Sequence, residues 1–263
     1  MYTLSTVAAA EPETSKLVTQ DAPTLGHGVF EFELDYRLLG ATRRLDDDGE
    51  SKSRGRRRDQ TWLATLSYGL TERIDVGIET GWAELVDRDG PGPSRGDGFT
   101  DVSMVLQWEF LRDETRRLSV AYVGGLTSDT GDDTSSHELG PGQGYWSIDQ
   151  ALLVTKSWNR WTTNAELAFF LPVGDDRDGA RGTLEANVAL GYQLREWVQP
   201  ELELLWNRER LRGDDDPKRL ELVAGLVFSA SSRSLILLGG RRTLAGRSTD
   251  VENELIMRIQ VEF

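Results

Sequence analysis

The chain has 263 residues and a formal net charge of −14, from 30 Lys plus Arg against 44 Asp plus Glu. This balance argues against a nucleic-acid partner, because phosphates require a basic surface, and the absence of cysteine excludes disulfides and thiolate metal sites. Mean hydropathy is −0.44, and no apolar run approaches the roughly 18 residues that a membrane helix needs.

The N-terminus has part of a secretory signal. Ala8, Ala9 and Ala10 resemble its small-residue cleavage end, but the basic start and apolar stretch are missing. Either the numbered start lies inside a signal peptide, or this is an Ala-rich tail. We predict that residues 1–26 are residual signal followed by a disordered periplasmic lead-in, too short for a plug domain.

The first predicted strand follows Gly28 and alternates between apolar and charged positions. One face carries Phe30, Phe32, Leu34, Tyr36 and Leu38, and the other carries Glu31, Glu33, Asp35 and Arg37. Successive side chains of a strand point to opposite faces, so this pattern predicts an extended strand with one apolar and one charged side.

Eleven further segments repeat this two-residue period. They span 60–71, 74–86, 100–111, 116–127, 145–157, 161–173, 182–194, 197–208, 218–229, 234–243 and 251–263. Gln150 interrupts the apolar face of one segment, and both faces of 234–243 are mostly apolar. The predicted total is twelve strands.

Short and long connections alternate between these strands. The long ones are rich in Gly, Asp and Arg and span 41–59, 87–99, 128–144, 174–181, 209–217 and 244–250. An even number of strands with this alternation is the layout of an outer-membrane barrel, which must close because lipid cannot satisfy an open edge. We predict an all-β fold: one domain at 27–263, a twelve-stranded antiparallel transmembrane β-barrel of outer-membrane type.

Aromatic residues concentrate at the two ends of the predicted strands. Trp62, Trp82 and Trp146 adjoin long loops, whereas Trp108, Trp158 and Trp197 adjoin short turns. Two such rings mark the two interfaces of a lipid-facing barrel. The alternative, a soluble β-sandwich, would bury its aromatics at mid-strand.

Four short motifs give the chain a resemblance to a known family. They are Pro23–Gly26, Gly69–Gly77, Gly98–Val102 and Gly142–Gly144. With the strands placed, the chain resembles the outer-membrane transporter family associated with the MetA pathway of phenol degradation. The resemblance spans most of residues 23–263 and implies a barrel for uptake of aromatic or other small solutes. It assigns no binding residues.

If the apolar face meets lipid, the alternate positions line the lumen. The predicted lumen-lining residues are mainly acidic: Glu31, Glu33, Asp35, Arg37, Glu79, Glu109, Glu166, Glu185, Glu201, Glu203, Glu221, Glu252, Glu254 and Arg258. A low-dielectric wall of one charge sign concentrates counter-ions, which predicts a cation-preferring lumen. The alternative is that these carboxylates pair with the few arginines and fill a closed interior.

The sequence predicts no catalytic residues, no metal site and no cofactor. A barrel phospholipase needs a histidine and a serine two residues apart on one strand, and neither His27 nor His137 has a serine at that spacing. No acidic run has the spacing of a calcium-binding loop. The expected partners are outer-membrane lipid, lipopolysaccharide near Arg54–Arg58, an unidentified small-molecule solute and a possible protein partner in a membrane complex.

Two functions remain open at this point. The first is a porin-like channel in the outer membrane, with both termini periplasmic, for passive passage of small cationic or neutral solutes. Twelve strands lie between filled eight-stranded barrels and wide porins, which allows a narrow pore. The second is a non-conducting barrel that docks a partner protein through its long loops or outer wall.

Overall fold

The computed structural model describes residues 14–90, 92–132, 139–174, 180–211 and 216–263, which contain thirteen β-strands. In chain order they are β1 (Phe30–Leu45), β2 (Ser51–Thr71), β3 (Ile74–Asp87), β4 (Ser94–Phe99), β5 (Ser103–Asp113), β6 (Leu118–Thr127), β7 (Trp146–Trp158), β8 (Trp161–Val173), β9 (Ala180–Tyr192), β10 (Val198–Leu211), β11 (Lys218–Ser231), β12 (Ser234–Arg247) and β13 (Thr249–Glu262). Within these ranges no helix is long and apolar enough to cross a membrane.

The strands form one closed antiparallel barrel. β1 pairs with both β2 and β13, which joins the two ends of the chain, and the pairing of β2 with β3 completes the ring. β3 pairs with β4 along one half of its length and with β5 along the other. β4 and β5 are therefore two halves of a single barrel strand, and the predicted twelve-stranded barrel is confirmed.

The barrel has two distinct ends. The short-turn end contains the turns after β2, β5, β7, β9 and β11, together with the start of β1 and the end of β13. The long-loop end contains the remaining connections. The predicted long loop 87–99 is shorter than expected, because β4 occupies its second half. Two other predicted long loops, 41–59 and 244–250, are wrong: β1 and β2 are separated by five residues, and β12 and β13 by Ser248 alone.

The strands at these two positions extend further than their hydropathy pattern indicates. Above the lipid both faces of a hairpin meet water, so the pairing continues after the apolar alternation has ended. The β1–β2 turn is held by Asp46, whose carboxylate accepts the Glu50 N–H at 2.8 Å and pairs with Lys52 at 2.5 Å. The hydrogen bond from Lys52 lowers the pKa of Asp46.

The outer wall of the barrel is apolar. Phe32, Leu66, Met104, Leu167 and Ile259 are all more than a third exposed. So large a continuous apolar surface is unstable in water and requires a lipid cover. The rings predicted at the two ends are present on this wall, with Trp62, Trp82, Phe99, Trp146 and Phe169 at the long-loop end and Trp108, Phe110, Trp158, Trp161, Trp197 and Phe263 at the short-turn end.

The break between β4 and β5 anchors the loop that follows β6. Asp101 lies in this break, and its carboxylate accepts the N–H of Gly131 at 2.8 Å and of Gln143 at 2.6 Å. The Asp132 N–H donates to the Phe99 carbonyl at 2.9 Å. The loop is thereby folded against the wall at the long-loop end.

Substituting Leu167 with Arg tests the lipid exposure of the wall. Leu167 is at the middle of β8 and 53% exposed, so Leu167→Arg should lower the free energy of unfolding in phospholipid vesicles by about 2–4 kcal/mol. Leu244→Arg, near the long-loop end of β12, is the matched control and should cost only about 0–1 kcal/mol. Equal costs at the two positions would contradict a membrane-spanning wall.

Removing the Asp101 carboxylate should release the loop that it anchors. In Asp101→Ala we expect the Gly131 and Gln143 amides to exchange hydrogen about tenfold faster or more, because each loses a charge-assisted hydrogen bond. Asp129 is exposed in the same loop, and Asp129→Ala should leave both rates unchanged. Hydrogen exchange read by NMR would decide; unchanged rates in Asp101→Ala would show that the loop is held by other contacts.

Candidate functional site

The lead-in lies inside the barrel, which corrects the prediction of a disordered periplasmic segment. Residues 14–26 contain neither helix nor strand, but Leu17 and Ala22 are fully buried. The segment enters at the short-turn end, where the Leu25 N–H donates to Asp75 at 2.9 Å. Residues 1–13 lie outside the described ranges.

The inner wall satisfies the backbone of this irregular segment. Glu201 accepts the Leu17 N–H at 2.9 Å, and Glu203 accepts the N–H groups of Val18 and Thr19 at 3.0 and 2.7 Å. A segment without a ladder partner must find acceptors elsewhere when it is buried. The wall carboxylates supply them, so an acidic interior is what allows the lead-in to fold there.

Apolar contacts fix the lead-in at two points. Leu17 packs into a patch of inward-facing aliphatic side chains: Leu205, Val223, Val227, Leu235, Leu237 and Ile256. Ala22 packs against a second patch: Ala121, Val123, Ala151, Leu153 and Ala168. The first patch explains why both faces of β12 are apolar in sequence. That anomaly was the available signal for an internal apolar contact.

The structure places all fourteen predicted lumen residues on the inner side of the barrel. Those that line its cavity are Glu31, Glu33, Arg37, Glu79, Glu166, Glu185 and Arg258. Those that are buried are Asp35, Glu109, Glu166, Glu201, Glu203, Glu221, Glu252 and Glu254. Sequence reasoning missed the polar side chains that hold the lead-in, including Gln107 and Asn164, which donate to its carbonyls.

Ion pairs on the inner wall run along the wall. The Arg258 Nε donates to Asp35 on the neighbouring strand, 3.0 Å from Oδ1, and Arg241 pairs with Glu254 at 2.8 Å on the strand beside it. Arg219 reaches Glu252 two strands away at 3.1 Å. Each pair therefore closes within a small sector of the barrel, and none of these three bridges the lumen.

The basic cluster predicted in the first long loop is divided between the two faces of β2. A bulge between Ser53 and Arg57 shifts the register against β1 and turns Arg54 inward, where it pairs with Asp87 and Asp250. Bulges commonly redirect a side chain in this way. Arg56 and Arg58 remain exposed.

A cavity of about 910 Å³ extends through the barrel beside the lead-in. Its lining includes Glu262 and Arg233 at the short-turn end and Tyr145 and Glu209 at the long-loop end. Gln20 of the lead-in borders it as well. The lead-in therefore narrows the lumen, and polar space continues past it toward both ends.

The chemistry of a catalytic or metal site is not apparent in the described part of the chain. His27 is exposed, with Nδ1 3.0 Å from the Leu70 carbonyl oxygen, and His137 lies outside the described ranges. Among the described residues no three His, Asp or Glu side chains are grouped to hold a metal ion. The functional feature that the geometry offers is the cavity.

The four motifs that carry the family resemblance meet in pairs. Pro23–Gly26 packs on Gly69–Gly77, where the Gly28 N–H donates to the Gly69 carbonyl at 2.8 Å and a Cβ at Gly69 would collide with the Gly26 backbone. Gly98–Val102 supplies the carboxylate that binds the Gln143 N–H. These motifs anchor the lead-in and the loop after β6, the two segments that enclose the cavity.

Comparison with solved structures shows the same barrel in other proteins. The chain is similar to the outer membrane channel from Pseudomonas putida F1, with a TM-score of 0.78, 15% identity, and coverage of 94% of this chain and 100% of that one. It is also similar to the β domain of the Bordetella autotransporter Brka, with a TM-score of 0.56, 13% identity, and coverage of 90% of this chain and 100% of that one. A third similar structure is the KdgM porin, with a TM-score of 0.51, 12% identity, and coverage of 88% of this chain and 99% of that one.

Sequence comparison assigns the family. No curated protein shows a significant match to the chain. The family model described as "Putative MetA-pathway of phenol degradation" matches residues 85–226, more than half of the 263 residues. The chain belongs to this family.

Proposed function

We propose that this barrel is a passive channel of the bacterial outer membrane for small cationic or neutral solutes. The observation that carries the proposal is the cavity of about 910 Å³ beside the lead-in, lined by residues of both barrel ends. Because Arg241 and Arg258 pair within their own sector, they do not extend across this space. Its barrel fold is shared with an outer membrane channel and a porin.

The preference for cations follows from the charges that border the cavity. Glu79 and Asp149 line it and receive hydrogen bonds from hydroxyl groups, Glu79 from Thr65 at 3.0 Å and Asp149 from Thr127 at 2.8 Å. Neither carboxylate has an ion-pair partner among the described residues. Unneutralised carboxylates in a low-dielectric wall raise the local concentration of cations and repel anions.

The orientation and the lipid contacts are part of the same proposal. Both chain ends face the periplasm, and the long-loop end faces the outside. There Arg56 and Arg58 are exposed beyond the ring that contains Trp62. Guanidinium groups at this height suit the phosphates of lipopolysaccharide, since Arg binds phosphate through two parallel hydrogen bonds.

An enzymatic function has less support than a transport function. The exposed His27 has no serine two residues on, so the hydroxyl nucleophile of a barrel phospholipase has no positioned base here. Several carboxylates of the lumen hold the lead-in or pair with arginine, as Glu203 and Asp35 do. We propose a transport role without chemistry.

A second candidate function is a non-conducting barrel that docks a protein partner. The fixed position of the lead-in favours it, since Thr19 alone gives Glu203 two hydrogen bonds, from N–H at 2.7 Å and from Oγ1 at 2.6 Å. The partner would then bind the long-loop end or the outer wall.

A reversal potential separates these two functions. Refolded protein in a planar bilayer under a potassium chloride gradient should give a steady conductance with a reversal potential of the sign for potassium. The acidic cavity is the physical reason. Anion selectivity would contradict the proposed solute preference, and a folded barrel without conductance would favour the docking function.

Weakening the attachment of the lead-in should widen the passage. In Glu203→Ala three hydrogen bonds to Val18 and Thr19 are lost, so we expect a larger single-channel conductance, and a larger one still on deletion of residues 14–25. Glu221→Ala removes a buried carboxylate that pairs with Arg219 and Arg241 instead, and it controls for the change in lumen charge. An equal increase in both substitutions would show that charge, and not the lead-in, limits the current.

A further inference from the structure

Arg37 differs from the other arginines of the inner wall. It lies near the middle of β1 and lines the cavity. Arg57, Arg241 and Arg258 each pair with a carboxylate. Among the described residues Arg37 has no ion pair, and its Nε is buried without a hydrogen-bond partner.

The surrounding wall explains why Arg37 remains unpaired. Its neighbours in the strand register are Thr61 on β2 and Ile256 on β13, and neither is acidic. The carboxylates one step further along the wall are those of Asp35, Asp59 and Glu254. Each of them is held by another arginine, at 3.0, 2.6 and 2.8 Å respectively.

An uncompensated guanidinium facing polar space is a binding group for an anion. Its planar fork binds a carboxylate through two parallel hydrogen bonds. The cavity of about 910 Å³ is within the size range of small-molecule sites.

The remainder of the cavity selects against a simple anion. Glu79 and Asp149 line the same space and have only hydroxyl partners among the described residues. A solute with a carboxylate alone would be repelled by them, and a solute with an ammonium alone would leave Arg37 uncompensated. A solute that carries both groups satisfies both requirements and has no net charge.

We propose that the lumen binds small zwitterionic solutes, with the carboxylate on Arg37 and the ammonium group toward the carboxylates of Glu79 and Asp149. This inference rests on the proposed function, because it names the class of neutral solute that the channel takes. It assigns Arg37 as the specificity-determining residue of the lumen.

Three ligands that share the same six-carbon chain and differ in their charged groups test the recognition of both charges. They are 6-aminohexanoate, which is a zwitterion; 6-aminohexanamide, which is a cation; and 6-acetamidohexanoate, which is an anion. Saturation-transfer NMR on the full chain refolded in detergent measures their affinities without requiring conduction. We expect the zwitterion to bind about tenfold more tightly than either relative, the difference that a charge-assisted bidentate contact supports.

Variants at Arg37 locate the site. Arg37→Gln should lower the affinity for 6-aminohexanoate to that for 6-aminohexanamide. Arg37→Lys should give an intermediate affinity, because an ammonium lacks the planar fork. Arg219→Gln removes the same charge from an arginine that is paired with Glu221 and Glu252, neither of which neighbours Arg37, and it should leave the affinity unchanged. Circular dichroism and heat-modifiable gel mobility confirm that each variant is folded.

The outcomes separate this inference from the proposed function. Unchanged affinity in Arg37→Gln, equal losses in Arg37→Gln and Arg219→Gln, or an amide that binds as tightly as the zwitterion would each overturn the zwitterion site. A barrel that conducts without binding overturns the site alone. A barrel that binds the zwitterion at Arg37 and never conducts overturns the channel and leaves the site.

Discussion

The need to pair every backbone N–H and C=O in lipid governs this structure. A sheet meets that need only by closing on itself, which β1 does by pairing with both β2 and β13. Closure fixes one face of every strand outward and the other inward. The polar half of a two-residue pattern is thereby confined to a narrow interior, where its charges must find partners.

The interior satisfies most of its buried carboxylates in two ways. Along β11, β12, β13 and β1, arginines on the same or nearby strands pair with them, as Arg241 does with Glu254 and Arg258 with Asp35. Around β8 and β10 they accept N–H groups of the lead-in, as Glu166 and Glu203 do. Where the inner wall has no arginine, N–H groups of the lead-in therefore serve as the partners of its carboxylates. The cavity lies between the arginine-paired strands and the strands that hold the lead-in.

The fold could be predicted from the sequence for two reasons. Side-chain alternation is a local property of each strand, and the need for closure applies to every sheet that spans a membrane. The strand number, the outer apolar wall and the inward position of residues such as Glu203 all follow from period two. The sequence was insufficient for the lead-in, because residues 14–26 have no periodicity and their N–H groups bind acceptors some 50 to 185 positions away. The bulge that turns Arg54 inward is likewise a register effect that alternation cannot reveal. Arg37 is unpaired because each neighbouring carboxylate pairs with a different arginine, and alternation does not show which pairs form.

The manner in which the wall holds the lead-in has a consequence for its evolution. The carboxylates of Glu201 and Glu203 bind main-chain N–H groups, which every residue except proline provides. Only Leu17 and Ala22 are recognised by shape, in the two apolar patches. Selection on this segment therefore acts on its length, on Leu17 and Ala22, and on the Thr19 hydroxyl that donates to Glu203. Positions held only through their main-chain N–H groups can vary while the lead-in stays in place.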